Sequence, residues 1–431
     1  MEWNMEKNTF IENFVLPSEL MNSSTKNVEH ISFGGVSLPH DTIYLDFAAS
    51  TPLDKRIFEK MTPWMLGYFA NAANRTHPMG ELTEHALAWA RTSIAKVFSV
   101  SFEEVIFTAS ATESNNLLIR GLVEDPHRKR NKIVFCATEH SSIITTIHTL
   151  VENFDKKLGI EFAELTVNKD GQINIDEAQK IIDNNTLCVC VMDVNNETGI
   201  KQIQLEKIRQ LTLKFATILH VDSSQGFARS ELIAQGVDYD TMTISSSKIY
   251  GPKGAAALII KKRKPRIKLQ AQLTGGGNEF NLRSSTPNIA AILGFAHACI
   301  FQKQEAKERI QYYKKLENIF CEELSKYINV KYYASENYKV PGVLTLSFKN
   351  VNAMKLLEET KTVCASVGSA CKTLQATASH VLVAMGIDLE NTLSSFRVSF
   401  GLTNSENEVR EAAQRLAHSA LNLRKKSATL S

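Results

Sequence analysis

The chain has 431 residues, 43% of them hydrophobic and 22% charged, with 49 basic against 46 acidic side chains and a formal net charge of +3. This is the composition of an ordinary soluble globular protein, which sets aside disordered, collagenous and coiled-coil classes, and the small net charge argues against a protein built to hold nucleic acid. Seven cysteines, an odd number scattered without metal-ligand spacing, do not read as a disulfide framework and point to a reducing, cytoplasmic setting.

Residues 1–42 carry two basic and six acidic side chains and no arginine, which fits neither a secretory signal nor an arginine-rich transit peptide. They read as an acidic, largely unstructured extension. From Ile43 onward short β-branched runs alternate with helical patterns. A run at 105–108 precedes a helical pattern at 110–123, and a run at 132–136 precedes one at 141–154. Runs at 186–191 and 217–221 are separated by a helical 205–215. Strand, helix, strand in repetition predicts an α/β fold with a mostly parallel sheet, helices on both faces and right-handed crossovers. The apolar stretch 289–301 is too short to span a bilayer and reads as a buried helix, so no membrane partner is expected. After about residue 300, Ile310, Tyr313, Leu316, Phe320, Leu324 and Tyr327 share one helical face. Strand-like 343–348 and 395–400 follow, with helical 378–385 and 404–423. The pattern predicts a large domain over 43–300, whose first residues contribute to a smaller α+β domain over 301–431.

Ligands of such sheets sit beyond the carboxyl ends of the strands, so the residues just after each strand carry the chemistry. Ser110-Ala-Thr-Glu113 is a capping signature where free N–H groups make an anion site, although alone it is equally a plain helix cap. Thr138-Glu-His140 places a histidine at the cleft, where a lone histidine is more often structural. Asp222, in His220-Val-Asp222-Ser-Ser-Gln225, closes an apolar run and needs a cation or donors to meet it. Ser245-Ser-Ser-Lys248-Ile-Tyr-Gly251 sets a lysine in a loop of small residues. Desolvation frees such an amine as the nucleophile that forms a Schiff base. An anion site, an acid for a pyridinium nitrogen, a ring-stacking histidine and that lysine are together what pyridoxal 5′-phosphate requires.

These segments, with Ile43-Tyr-Leu-Asp-Phe-Ala-Ala-Ser-Thr-Pro52, Val194-Asn-Asn-Glu-Thr-Gly199, Gly275-Gly-Gly-Asn-Glu279, Arg283-Ser-Ser-Thr286 and Ser395-Phe-Arg397-Val-Ser-Phe-Gly401, resemble the cysteine desulfurases of the NifS/IscS type, within the class V aminotransferases. The resemblance implies the fold-type I arrangement with a seven-stranded sheet, and roles residue by residue. Lys248 holds the cofactor covalently and Asp222 pairs its ring nitrogen. His140 stacks on the ring and helps move protons, while Gln225 and Asn196 bond its phenolic edge. Ala111, Thr112, Ser245 and Ser247 hold the phosphate, joined by Thr286 from the other subunit of a homodimer. Arg397, assisted by Asn71, grips the substrate carboxylate. Val367-Gly-Ser-Ala-Cys371 resembles the family's loop bearing the nucleophilic cysteine. The implied reaction converts L-cysteine to L-alanine, leaves a persulfide on Cys371 and passes sulfur to an acceptor protein.

The chain departs from the family at Ser247, where a histidine is usual, at Ala72 for a customary proline, and at Asn278. It ends at Ser431 without the tail by which housekeeping relatives dock an iron–sulfur scaffold, so iron–sulfur assembly, tRNA thiolation and DNA phosphorothioation stay open as destinations of the sulfur. Selenocysteine lysis, class V transamination and a catalytically altered scaffold of the same fold remain alternative readings. The basic run 261–268 reads as a solvated hairpin rather than a nucleic-acid contact.

Overall fold

The computed structural model describes residue 39 and residues 41–230, 238–368 and 378–430, without the side chains of 153–158 and 427–430. Most of the acidic extension and the segment carrying Cys371 lie outside the described residues. Within them, a seven-stranded sheet is built from β2 (Val105–Thr108), β3 (Lys132–Cys136), β4 (Glu161–Leu165), β5 (Thr186–Met192), β6 (Ile218–Asp222), β7 (Thr241–Ser245) and β8 (Ala256–Ile260). Their order across the sheet is β2-β8-β7-β6-β5-β3-β4, and every pairing is parallel except those of β8. The central strands are apolar on both faces because helices cover both.

One face is packed by α1 (Lys55–Leu66), α2 (Pro78–Phe98) and α7 (Ile289–Gln304), the other by α3 (Ala111–Val123) and α4 (Ser141–Leu158). The short α5 (Ile175–Ile181) and α6 (Leu205–Lys214) lie between β4, β5 and β6 in the chain. The buried helix read at 289–301 is α7, apolar nearly all round and capped by Asn288, whose side chain accepts from the Ala291 N–H. Its His297 ring lies tilted against Trp89 with centroids 4.8 Å apart, and burial, with nearby Lys60, pushes the imidazole pKa from 6.5 down to about 4. A histidine held neutral in the fold takes up its proton more readily when unfolded, so its contribution to stability is complete above pH 6.5 and declines towards pH 4. His297→Phe is therefore expected to match the parent at pH 7.5 and to exceed it by about 2 kcal/mol at pH 5, read by denaturant titration at both pH values.

A second core lies around α8 (Ala306–Ser325), β9 (Val330–Tyr332), β10 (Val343–Phe348), α9 (Ala353–Glu359), β11 (Val363–Cys364), α10 (His380–Ala384), α11 (Leu389–Leu393), β12 (Ser395–Ser399) and α12 (Glu406–Leu430). Strand β1 (Ile43–Tyr44) joins it by parallel pairing with β11, and Asp46 bridges to Ser399. Phe320 packs edge-on against Phe400 at 5.4 Å and Phe348 against Phe396 at 5.5 Å. Such pairs add about 0.5–1.5 kcal/mol each beyond burial, which stiffens β12 and the Arg397 it carries.

Two expectations are corrected here. Tyr327 is exposed rather than on the buried face, because α8 ends at Ser325 before the apolar spacing does. The basic run forms no hairpin: after β8 the chain is irregular, with Lys261 paired to Asp238, Lys262 to Glu103 and Arg263 to Asp240.

Candidate active site

Sheet register gathers the strand ends. Thr108 lies opposite Ala256 and Ala256 opposite Ser245, while Asp222 lies opposite both Met192 and Thr243. The turns after β2, β3, β5, β6 and β7 therefore open on one carboxyl edge. They carry Ala111 and Thr112, His140, Asn196, Asp222 and Gln225, and Ser245, Ser247 and Lys248 respectively.

At the first turn, Ser110 caps α3 by accepting from the Glu113 N–H at 3.1 Å. Glu113 itself accepts from Ala109 N at 2.9 Å and from Arg283 Nε at 2.7 Å, so its charge is met away from the helix start. The N–H groups of Ala111 and Thr112 have no hydrogen-bond partner among the described residues and sit at the positive end of the α3 dipole. Two strands away, about 10 Å by sheet spacing, the hydroxyls of Ser245 and Ser247 lie 3.2 Å apart.

Lys248 stands in a 3-10 turn just past β7, and its ammonium donates to the carbonyl of Ala48 at 3.1 Å and to that of Ala49. Gln225 donates to the same Ala48 carbonyl at 2.7 Å, which brings lysine and amide together. The Asp222 carboxylate is buried and accepts from Ser224 N at 3.0 Å, Ser224 Oγ at 2.6 Å and Asn115 Nδ2 at 2.9 Å. His140 Nδ1 accepts from the Ser142 N–H at 3.1 Å. A backbone N–H only donates, so Nδ1 is unprotonated and the ring proton sits on Nε2. Burial lowers the His140 pKa, and Lys248 and His380 add to this against Asp222. Glu139, next to it and wholly buried, is pushed well above the carboxylate range by burial and by Asp222.

Arg397 reaches the same edge from β12. Its terminal nitrogens are engaged, one by the Asn196 carbonyl and the other by Asp46, each at 2.6 Å, whereas its buried Nε has no partner among the described residues. The fork expected for a substrate carboxylate is thus partly occupied by Asp46. Asn196 contributes its backbone carbonyl to this contact. The buried Ser50 hydroxyl is likewise unpartnered among the described residues.

Cys371 lies outside the described residues, but the chain on either side of it is anchored at this edge. Ser366 exchanges backbone hydrogen bonds with Arg397 at 3.0 and 2.6 Å. Beyond the gap, Ser379 donates to Glu197 at 2.5 Å and His380 Nε2 lies 3.0 Å from the Glu139 carbonyl. Asn71 and Thr286 are exposed, and among the described residues neither is hydrogen-bonded to another candidate residue. Sequence reading passed over Asn115, Ser142, Asp46 and Glu197, although each lies within or beside a quoted motif.

Residues 43–411 match the class-V aminotransferase family. The chain belongs to that family. It is 34% identical over 372 residues to "Cysteine desulfurase IscS" of Neisseria meningitidis serogroup C, covering 86% of this chain and 90% of the relative. Among solved structures it resembles a NifS-like protein with a TM-score of 0.80 and 26% identity, over 88% of this chain and 98% of the other. It also resembles SspA, solved in complex with cysteine, with a TM-score of 0.72 and 27% identity, over 83% and 99%. The fold is that of the pyridoxal-phosphate enzymes of type I.

Members of this class-V family use pyridoxal 5′-phosphate, and the donor set of this chain fits that group. Unpartnered helix-start N–H groups on one side and two hydroxyls two strands away suit a phosphate held between them. A buried carboxylate held by three donors suits a ring N–H, and Lys248 supplies the amine. Ser247 keeps a hydroxyl beside that of Ser245, and its carbonyl accepts from Thr51 N and Thr51 Oγ1, both at 3.0 Å.

Proposed function

We propose that this class-V family member is a pyridoxal-phosphate-dependent cysteine desulfurase that converts L-cysteine to L-alanine and holds the sulfur as a persulfide on Cys371. The observation that carries this reading is the convergence of Lys248, Asp222, His140 and Arg397 on one sheet edge, in a chain with desulfurase relatives along nearly its whole length. Bound at that edge, pyridoxal phosphate supplies an electron sink for charge that develops on the substrate α-carbon.

The chain's own residues supply the rest. Ala111, Thr112, Ser245 and Ser247 hold the phosphate, and Asp222 pairs the ring nitrogen. Gln225 and Asn196 would bond the ring's phenolic edge, Gln225 through its amide oxygen, since its amide NH2 donates to the Ala48 carbonyl. Arg397 turns its unpartnered Nε to the substrate carboxylate, exchanging part of its Asp46 contact, and Asn71 assists. Lys248, the amine nearest the reacting atoms, takes the α-proton. His140 would stack on the ring of the bound cofactor, with its proton on Nε2. The Cys371 thiolate attacks the substrate sulfur, and the sulfur–carbon bond breaks with its electron pair going to carbon. Carbon takes up a proton to give alanine, and both sulfur atoms remain on Cys371.

The protein works as a homodimer in this reading. Phe58, Met65, Leu66, Phe69 and Leu82 are exposed apolar side chains on and beside α1 and α2, of the kind that a second subunit covers, and Thr286 is exposed for delivery to the neighbour's phosphate site. Division of the chain near residue 300 puts the site between a sheet domain and a smaller domain bearing Arg397. The cytoplasm, a reducing setting, suits the thiol chemistry, and the persulfide passes to an acceptor protein. Among the described residues no helix is long and apolar enough to cross a membrane.

The test is direct. Purified protein should be yellow, with absorbance near ~400 nm from the cofactor bound to lysine, and should release sulfide from L-cysteine in the presence of a thiol. A colourless preparation that stays inert with added pyridoxal phosphate overturns the reading.

A further inference from the structure

We propose that Asn115 is a positioning residue whose single side-chain amide fixes both the Asp222 carboxylate and the His140 imidazole. This rests on the reading of the sheet edge as the cofactor pocket. Asn115 is fully buried on α3, one turn past Ala111. Its Nδ2 donates to Asp222 Oδ2 at 2.9 Å and to Ser142 Oγ at 2.9 Å, and its Oδ1 lies 3.1 Å from His220 Nε2.

The orientation of this amide is not free. Turned over, it would set its oxygen against the Asp222 carboxylate, so the NH2 group must face Asp222. Oδ1 then faces His220, which must present its proton at Nε2 and receive the Thr241 hydroxyl at Nδ1, 3.0 Å away. Both amide donors and the oxygen are used, and rotation about the terminal torsion breaks three hydrogen bonds at once around a fully buried side chain.

The second arm runs through Ser142. With one lone pair of its oxygen taken by Asn115, the Ser142 hydroxyl directs its own proton at His140 Nδ1, 2.9 Å away. That bond adds to the one from the Ser142 N–H at 3.1 Å, so two donors hold Nδ1 unprotonated. The ring is thereby fixed in rotation and in tautomer. Asn115 thus orients from one point the acid that would meet the ring nitrogen and the imidazole that would stack on the ring, so that the two groups keep their relative placement when ligands exchange.

The experiment compares wild type, Asn115→Leu, Asn115→Asp and Ser142→Ala. Cofactor affinity is measured by titrating apoprotein. Ring 15N shifts of histidine-labelled protein, assigned with His140→Asn, report which nitrogen of His140 carries the proton, and kcat and KM are read separately. Ser142→Ala removes the hydroxyl donor and keeps the backbone one, so the His140 Nδ1 signal should move further from the protonated range with the proton still on Nε2, and kcat should fall about tenfold with KM and cofactor affinity little changed. Asn115→Leu should show the same histidine change together with cofactor binding about tenfold weaker, the scale of one hydrogen bond to a charged group. Asn115→Asp keeps the acceptor for His220 but turns an oxygen on Asp222, so it should weaken cofactor binding at least as much.

A folded Asn115→Leu protein with wild-type cofactor affinity overturns the Asp222 arm, and an unaltered His140 signal in Ser142→Ala overturns the histidine arm. If the leucine variant fails to fold, the aspartate variant decides the first arm and the alanine variant the second. Failure of the wild type itself to bind pyridoxal phosphate would overturn the underlying cofactor reading instead.

Discussion

Lys248→Ala is expected to give a folded, colourless protein whose desulfurase activity is lower by about 10³-fold or more. In the proposed mechanism the substitution removes the amine that carries the cofactor and moves the α-proton. The surrounding turn should survive it. Thr51 donates twice to the Ser247 carbonyl, and Tyr250 N donates to Thr51 Oγ1 at 2.9 Å, so the chain on both sides of residue 248 is tied down without the lysine. Loss of the donor to the Ala48 and Ala49 carbonyls should cost about 1 kcal/mol of stability. Absorbance after dialysis, steady-state sulfide release and a melting curve check all three statements. A variant that keeps both colour and turnover would remove Lys248 from the mechanism.

Cys371→Ser should separate cofactor chemistry from sulfur capture. The serine variant is expected to stay yellow and to change its spectrum when L-cysteine binds, yet to form alanine about 10²-fold more slowly or worse, because a hydroxyl near neutral pH offers no anion comparable to a thiolate. No other described thiol is placed to replace it. Cys136, Cys188, Cys190 and Cys299 are buried, and burial pushes the Cys136 thiol up to about 12. Half-buried Cys321 and Cys364 are likewise raised by burial. Alanine formation in single turnover and persulfide labelling measure the effect, and full alanine production by Cys371→Ser would show that another group attacks the sulfur.

Some boundaries were misread for local reasons. The edge strand β4 has mostly exposed side chains, so no apolar run marks it. The closing helix runs over Glu406–Leu430 rather than 404–423. Its start was in fact legible, since Ser405 and Glu408 form a reciprocal capping box with bonds of 3.2 and 2.7 Å. Tyr327 shows the converse, an apolar spacing that continues past the end of a helix.

The sequence by itself determined the alternation of strands and helices and the residues just beyond each strand. Lys248, Asp222, His140 and the start of α3 could be singled out because each lies within a few residues of an apolar run, where local pattern suffices. Only the tertiary structure decided what those residues touch. Arg397 meets Asp46 across 351 residues of chain, and Asn115 meets Asp222 across 107. These contacts depend on strand order and register, on β8 running antiparallel between β2 and β7, and on β1 pairing with β11. None of these is encoded in the spacing of neighbouring residues, because each is fixed by burial and backbone pairing between distant segments that compete for the same core.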